Sequence, residues 1–147
     1  MMKCMLLLMV ITASIFSCQK EDNPVAPPYM DFKADGAFWE LNNRSAVLTT
    51  SNLLISGGNG AGVSIGLSIN NYSNLQTGTF TIGAGNFNTA SVVDATGGYS
   101  AGNSGGSGTI TIIENTGTLI RGSFEFTARD LSGKTKVVTE GRFMIYY

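Results

Sequence analysis

Ala34-Asp35-Gly36-Ala37 sits between two runs in which apolar and polar residues alternate. An Asp-Gly pair flanked in this way specifies a two-residue hairpin, because both loop residues of a type I′ turn need positive φ. The turn fixes the register. Ala34 faces Ala37, Phe32 faces Trp39, and Met30 faces Leu41, so all six share one face and Trp39 is a core anchor paired with Phe32. Asp31 then falls opposite Glu40 on the other face, at the roughly 4.5–5.5 Å that separates opposed Cβ atoms. Carboxylates so spaced could hold calcium, or act as acid and nucleophile on a glycoside. No further carboxylate is brought to the spot, so a solvated pair moderated by Lys33 is the simpler reading.

Alternation recurs along the chain. Short strands are expected over 45–50, 53–56, 61–70, 77–82, 90–94 and 98–101, with Val63, Ile65, Leu67 and Ile69 on one face. The strongest signal lies over 109–114, 117–129 and 135–147. Ile120, Phe124, Phe126 and Ala128 should face inward, with Arg121, Ser123, Glu125, Thr127 and Arg129 outward. In the last strand Val137, Thr139, Phe143 and Ile145 are expected inward, and Val138, Glu140, Arg142 and Tyr146 outward. Arg121, Glu125, Glu140 and Arg142 then form a cross-strand charge lattice of small energetic weight. Gly122 and Gly141 relieve crowding or mark bulges.

No window carries a sustained 3.6-residue apolar period, so no helix is expected. About ten short strands with turn signals every eight to twelve residues argue an all-β antiparallel β-sandwich. The alternative is a closed barrel of lipocalin type, which would leave a cavity lined by Ile65, Leu67, Phe124 and Phe126. The Gly-rich segment 83–108 has no Gly-Lys-Ser/Thr and no helix to receive a phosphate, and reads as long connecting loops.

The N-terminus carries an address rather than structure. Lys3 is followed by an apolar run, 5–16, too short to span a bilayer but as long as a signal h-region. Ser17 then meets Cys18, a pattern that resembles the lipobox of bacterial lipoproteins. The resemblance implies a signal peptide over 1–17 that is cut before Cys18, and a lipid on the Cys18 thiol. Residues 18–28 form a proline-containing tether, and 29–147 a single domain. Gln19, Lys20, Glu21 and Asp22 are similar to the export signal that places Bacteroidota lipoproteins on the outer face of the outer membrane.

Composition narrows the chemistry. The 147-residue chain has a net charge of −1, no basic patch, no histidine, and two cysteines, Cys4 and Cys18. Nucleic acid is not an expected partner. Ser-His-Asp and Cys-His catalysis and His-containing zinc sites are excluded, and no catalytic residue, metal or cofactor is expected. The expectation is a non-enzymatic, outer-membrane-anchored surface module that binds a glycan, peptide or protein, with Tyr72, Phe87, Tyr99 and Tyr146 as contacts. The alternative is a structural or envelope-assembly lipoprotein facing the periplasm, without a small ligand. A glycosidase using Asp31 and Glu40 is a remote third.

Three segments together resemble an uncharacterised Bacteroidota lipoprotein family, a domain of unknown function numbered 6252. They are 18–22, then 32–39, then 108–112 running into 122–128 and 140–143. These are turn and core motifs. The resemblance implies fold and lineage and brings no catalytic residue.

Overall fold

In the computed structural model, which describes residues 25–103 and 105–147, every alternating run is a strand and no helix occurs among the described residues. The eleven strands are β1 (Tyr29–Ala34), β2 (Ala37–Glu40), β3 (Asn43–Leu48), β4 (Asn52–Gly58), β5 (Ser64–Asn70), β6 (Gly78–Ile82), β7 (Thr89–Asp94), β8 (Gly97–Ala101), β9 (Ser107–Asn115), β10 (Leu119–Arg129) and β11 (Thr135–Tyr146). The Gly-rich segment therefore holds a hairpin, β7–β8, between its loops. Asp35 and Gly36 take φ of 46° and 84°, as a type I′ turn requires. The expected register follows: Phe32 opposes Trp39 and Asp31 opposes Glu40. Trp39 is half-buried and packs on the core from the edge strand.

All pairings are antiparallel, in one strongly curled sheet ordered β2-β1-β11-β10-β8-β7-β5-β4-β3, with β6 and β9 branching from β10. The branch explains the shape. Residues 120–127 of β10 pair with β9, and only Arg129, at its end, pairs with Ser100 of β8. β10 thus belongs to a six-strand arm (β2-β1-β11-β10-β9-β6) and hands over at its tip to a five-strand arm (β8-β7-β5-β4-β3). The arms fold over one core, as in a sandwich. At Gly57 of β4 an added Cβ would stand 2.6 Å from the Met30 sulfur and 2.8 Å from Leu41 Cδ1, so the inner faces touch there. Phe124 is central, with ring centroids 6.3 Å from those of Phe32, Phe126 and Phe143. The sheet does not close on itself: β2 and β3 end its path. Ile65, Leu67, Phe124 and Phe126, which would line a barrel cavity, are buried in the one core cluster.

Bulges correct the expected facing of the last strand. Phe124 opposes Gly141, but Phe126 already opposes Val138, so Thr139 and Glu140 share the place opposite Glu125. Glu140 takes φ +53° to make the step. The extra residue inverts the pattern: Val138 and Lys136 are buried, while Val137 is exposed and Thr139 half-buried. Phe143 and Ile145 face inward, and Arg142 and Tyr146 outward, as read from sequence. Gly141 is required here, since a Cβ would run into the Phe124 ring. A second bulge, between Arg121 and Gly122, leaves Ile113 of β9 without a partner. The expected charge lattice is not formed either. Arg121 pairs with Glu114 at 3.2 Å, Glu140 with Lys33 at 2.8 Å, and Arg142 with Asp31 at 2.8 Å.

Candidate binding face

The five-strand arm carries its large residues inward and presents small ones outward. Register aligns them into a row. Ser45 opposes Ser56, Ser56 opposes Gly66, Gly66 opposes Ser91, and Ser91 opposes Ser100. Four serines and a glycine cannot fill the layer above a sheet, so the surface sinks into a trough. It consists of two adjoining depressions of about 480 and 400 Å³ that share Ser45, Ser56, Gly66 and Ser91. Exposed Val47 and Leu54, themselves opposed in register, form one shoulder. Asn43, Arg44 and Ser64 border the other end. Arg44 is half-buried and donates to the Leu41 carbonyl at 2.6 Å, so its charge is held at the rim. Ser45 and Ser56 hydroxyls lie 2.9 Å apart, leaving each with further hydrogen-bonding capacity. This floor can exchange hydrogen bonds with polar groups of an extended ligand, and the Val47-Leu54 shoulder can cover apolar area.

The structure separates the four aromatic residues expected as contacts. Phe87 and Tyr146 are exposed, but Tyr72 and Tyr99 are core residues, 0% and 2% exposed. Tyr72 lies in an Asn-rich loop that reads as a surface loop. Its backbone N–H donates to the Ser51 carbonyl, and its hydroxyl donates to the Gln76 carbonyl and accepts from Asn115 Nδ2 at 2.7 Å. Burial pushes its hydroxyl pKa up, against the Asn115 bond. Tyr99 lies under the Lys136 ammonium, 4.7 Å from the ring centroid. Neither can contact a ligand.

Asp31 and Glu40 face each other across β1 and β2, yet the partner of Asp31 is Arg142, not Lys33. Arg142 Nε donates to Asp31 at 2.8 Å, which raises the guanidinium pKa. Lys33 is turned to Glu140. A cleft of about 260 Å³ lies beside these two ion pairs and Phe38. Among the described residues no group of three or more acidic side chains stands close enough to hold a metal ion. Residues 1–17, Cys18 and the Gln19, Lys20, Glu21 and Asp22 run lie outside the described residues.

A polar cluster that the sequence reading missed lies where the arms meet. Lys136 Nζ donates to Asp94 Oδ2 and, at 2.9 Å, to Thr96 Oγ1, with Asp35 Oδ2 at 3.7 Å. Burial works to raise the Asp94 carboxyl, but hydrogen bonds from Lys136 and Thr96 outweigh it and hold the pKa at about 2. Burial likewise works to lower Lys136, and the bond and charge of Asp94 raise it instead. Only the bulge at Glu140 turns Lys136 inward, and Gly141 was its one sequence signal.

A family model described as "Domain of unknown function (DUF6252)" matches residues 26–145. No curated protein and no solved structure matches the chain.

Proposed function

The chain belongs to the family of domain of unknown function DUF6252, and from that premise we propose a lipid-anchored outer-membrane protein that acts as a non-enzymatic binding module at the cell surface. Cys18 is the lipid attachment point, 1–17 is the signal removed before it, and Gln19, Lys20, Glu21 and Asp22 direct surface export. Two or more acyl chains hold such a protein on a membrane, whereas one does so only marginally.

One observation carries the binding reading: the trough over Ser45, Ser56, Gly66 and Ser91. It favours an extended peptide or protein segment over a glycan. Sugars are gripped by stacking on aromatic faces. The trough has no ring, and Tyr72 and Tyr99 are buried. Serine hydroxyls suit main-chain amides, and the Val47-Leu54 shoulder suits an apolar side chain. Asp31 supports a glycosidase poorly, since Arg142 occupies it.

The test has two parts. Acyl labelling in cells should be present in wild type and absent in Cys18→Ala, with residues 29–147 still folded. An array of immobilised peptides should then bind the wild-type domain and lose that signal when Ser56→Tyr and Ser91→Tyr fill the trough. Equal signals from both proteins would reject the trough as the site. Protease protection on intact cells would replace surface exposure with a periplasm-facing role in envelope assembly.

A further inference from the structure

We propose that the pole of the domain where the tether enters, marked by Val25, Leu75, Ile113 and Tyr146, docks on the lipid bilayer, with the opposite tip at Leu131 held away from it. This inference rests on the lipid-anchor reading of Cys18.

Four elements converge on this pole. β1 begins there, with Tyr29 opposite Met144 near the end of β11. β9 ends and β10 begins there, with Asn115 opposite Ile120. The loop from β5 to β6 is drawn in by the Tyr72–Asn115 bond. Within it, Leu75 stands beside the β9–β10 turn, since a Cβ on Gly117 would lie 3.5 Å from Leu75 Cδ1. Finally, the Tyr146 hydroxyl donates to the Ala26 carbonyl at 3.3 Å, which places the tether on the same pole.

The pole presents apolar side chains to solvent. Val25, Leu75, Ile113 and Tyr146 are 75%, 38%, 55% and 43% exposed. Two of them sit on irregular backbone. Leu75 takes φ +53°, a conformation that costs a leucine about 1–2 kcal/mol. Ile113 is the extra residue of the β9 bulge. Water gives no return for this arrangement, whereas a bilayer interface accepts aliphatic side chains and seats tyrosine at headgroup level. Among the described residues Glu114, next to Ile113, is paired with Arg121 at 3.2 Å.

The leash favours the tether pole over the opposite tip. Ala26 lies eight residues after Cys18, a reach of at most about 25 Å at the roughly 3.1 Å per residue that a proline-containing segment can span. β10 has 11 residues, about 35 Å at roughly 3.3 Å each, and Leu131 lies beyond its far end. A lipid on Cys18 therefore lets the Leu131 tip reach the bilayer only when the whole domain tips over. It keeps the tether pole within contact range throughout.

The experiment uses the full acylated protein in vesicles of phosphatidylethanolamine and phosphatidylglycerol. Acylated Cys18 offers no thiol, so Leu75→Cys or Leu131→Cys supplies the single site for an environment-sensitive NBD label. At Leu75→Cys the emission should shift to the blue and fall at least twofold when nitroxide-bearing lipid is included. At Leu131→Cys it should not change. If Leu75→Cys fails to fold, Tyr146→Cys reports on the same pole. Labels at both poles staying unquenched, while the protein still floats with the vesicles, would overturn the docking and leave the anchor standing. A protein that neither floats nor carries acyl chains would remove the anchor, and the docking with it.

Discussion

Lys136 Nζ lies 2.5 Å from Asp94 Oδ2, with both side chains enclosed, and this pair joins β11 of one arm to the β7–β8 hairpin of the other. β11 shares no register with that hairpin, so the ion pair and the Lys136–Tyr99 contact add to the Arg129–Ser100 pairing in setting how the arms meet. Breaking such a pair from one side strands a charge and costs about 3–5 kcal/mol, whereas replacing both partners by apolar groups can be neutral. Lys136→Met should therefore lower the unfolding free energy by about that amount in urea titration. Lys136→Met combined with Asp94→Leu should recover most of it. A double variant as unstable as the single would show that packing of the lysine stem, and not its charge, holds the joint.

The same pair sets a pH dependence. Asp94 is held at about 2 against an ordinary 3.8. A depressed carboxylate stabilises the fold above its ordinary pKa, and that contribution is lost as pH falls through about 2. The difference is worth about 2 kcal/mol. Lys136 is raised above 10.5, so its contribution is complete below 10.5 and is lost as pH climbs past that value. Thermal unfolding followed by circular dichroism should show a plateau between the two limits and an acid limb between about pH 4 and 2. In Asp94→Asn that limb should shrink. An unchanged limb would assign acid sensitivity to other carboxylates.

What the sequence could show was local. The Asp35-Gly36 turn dictated its own φ values, and the register from Phe32–Trp39 to Asp31–Glu40 followed from counting. The alternation of β10 was read correctly because both bulges put their extra residue in a partner strand, β11 or β9, and none in β10. β11 failed at Val137 and Val138 because one residue opposite Glu125 inverts everything beyond it, and a bulge is settled by the partner strand. Tyr72 misled for a similar reason. Its neighbours are loop formers, and only the distant Ser51 and Asn115 draw it under. The trough was half visible, since the alternation that puts Val63, Ile65, Leu67 and Ile69 on one face leaves Ser64, Gly66 and Ser68 on the other. That Ser45, Ser56 and Ser91 line up beside Gly66 depends on the registers of four strands.

The Glu140 bulge offers a test with two opposite signs. Glu140 holds φ +53° with a side chain, and glycine would hold it without the Cβ penalty. Its ion pair with Lys33 is exposed and worth well under about 1 kcal/mol. Glu140→Gly should therefore be neutral or stabilising, by up to about 1 kcal/mol. Next door, Gly141→Ala drives a methyl group into the Phe124 ring and should destabilise by about 1–3 kcal/mol. Urea midpoints of the two variants should move in different directions, and a loss of stability in both would mean that the bulge itself is required in its present form.

Tyr72 is the last test, because it holds the proposed membrane-facing pole together. Its hydroxyl bridges the Gln76 carbonyl and the Asn115 side chain, and Asn115 in turn accepts from the Tyr147 hydroxyl at 2.7 Å. Its ring packs on Phe80 at 5.6 Å between centroids. Tyr72→Phe keeps the ring and deletes the bridge, leaving enclosed polar groups without their partner, at about 1–3 kcal/mol. Limited proteolysis should detect faster cleavage within 73–77 than in wild type, while the trough on the other arm keeps its ligand signal. Unchanged cleavage would show that backbone contacts such as Tyr72 N–H to Ser51 hold the loop by themselves, and that the hydroxyl adds only local satisfaction.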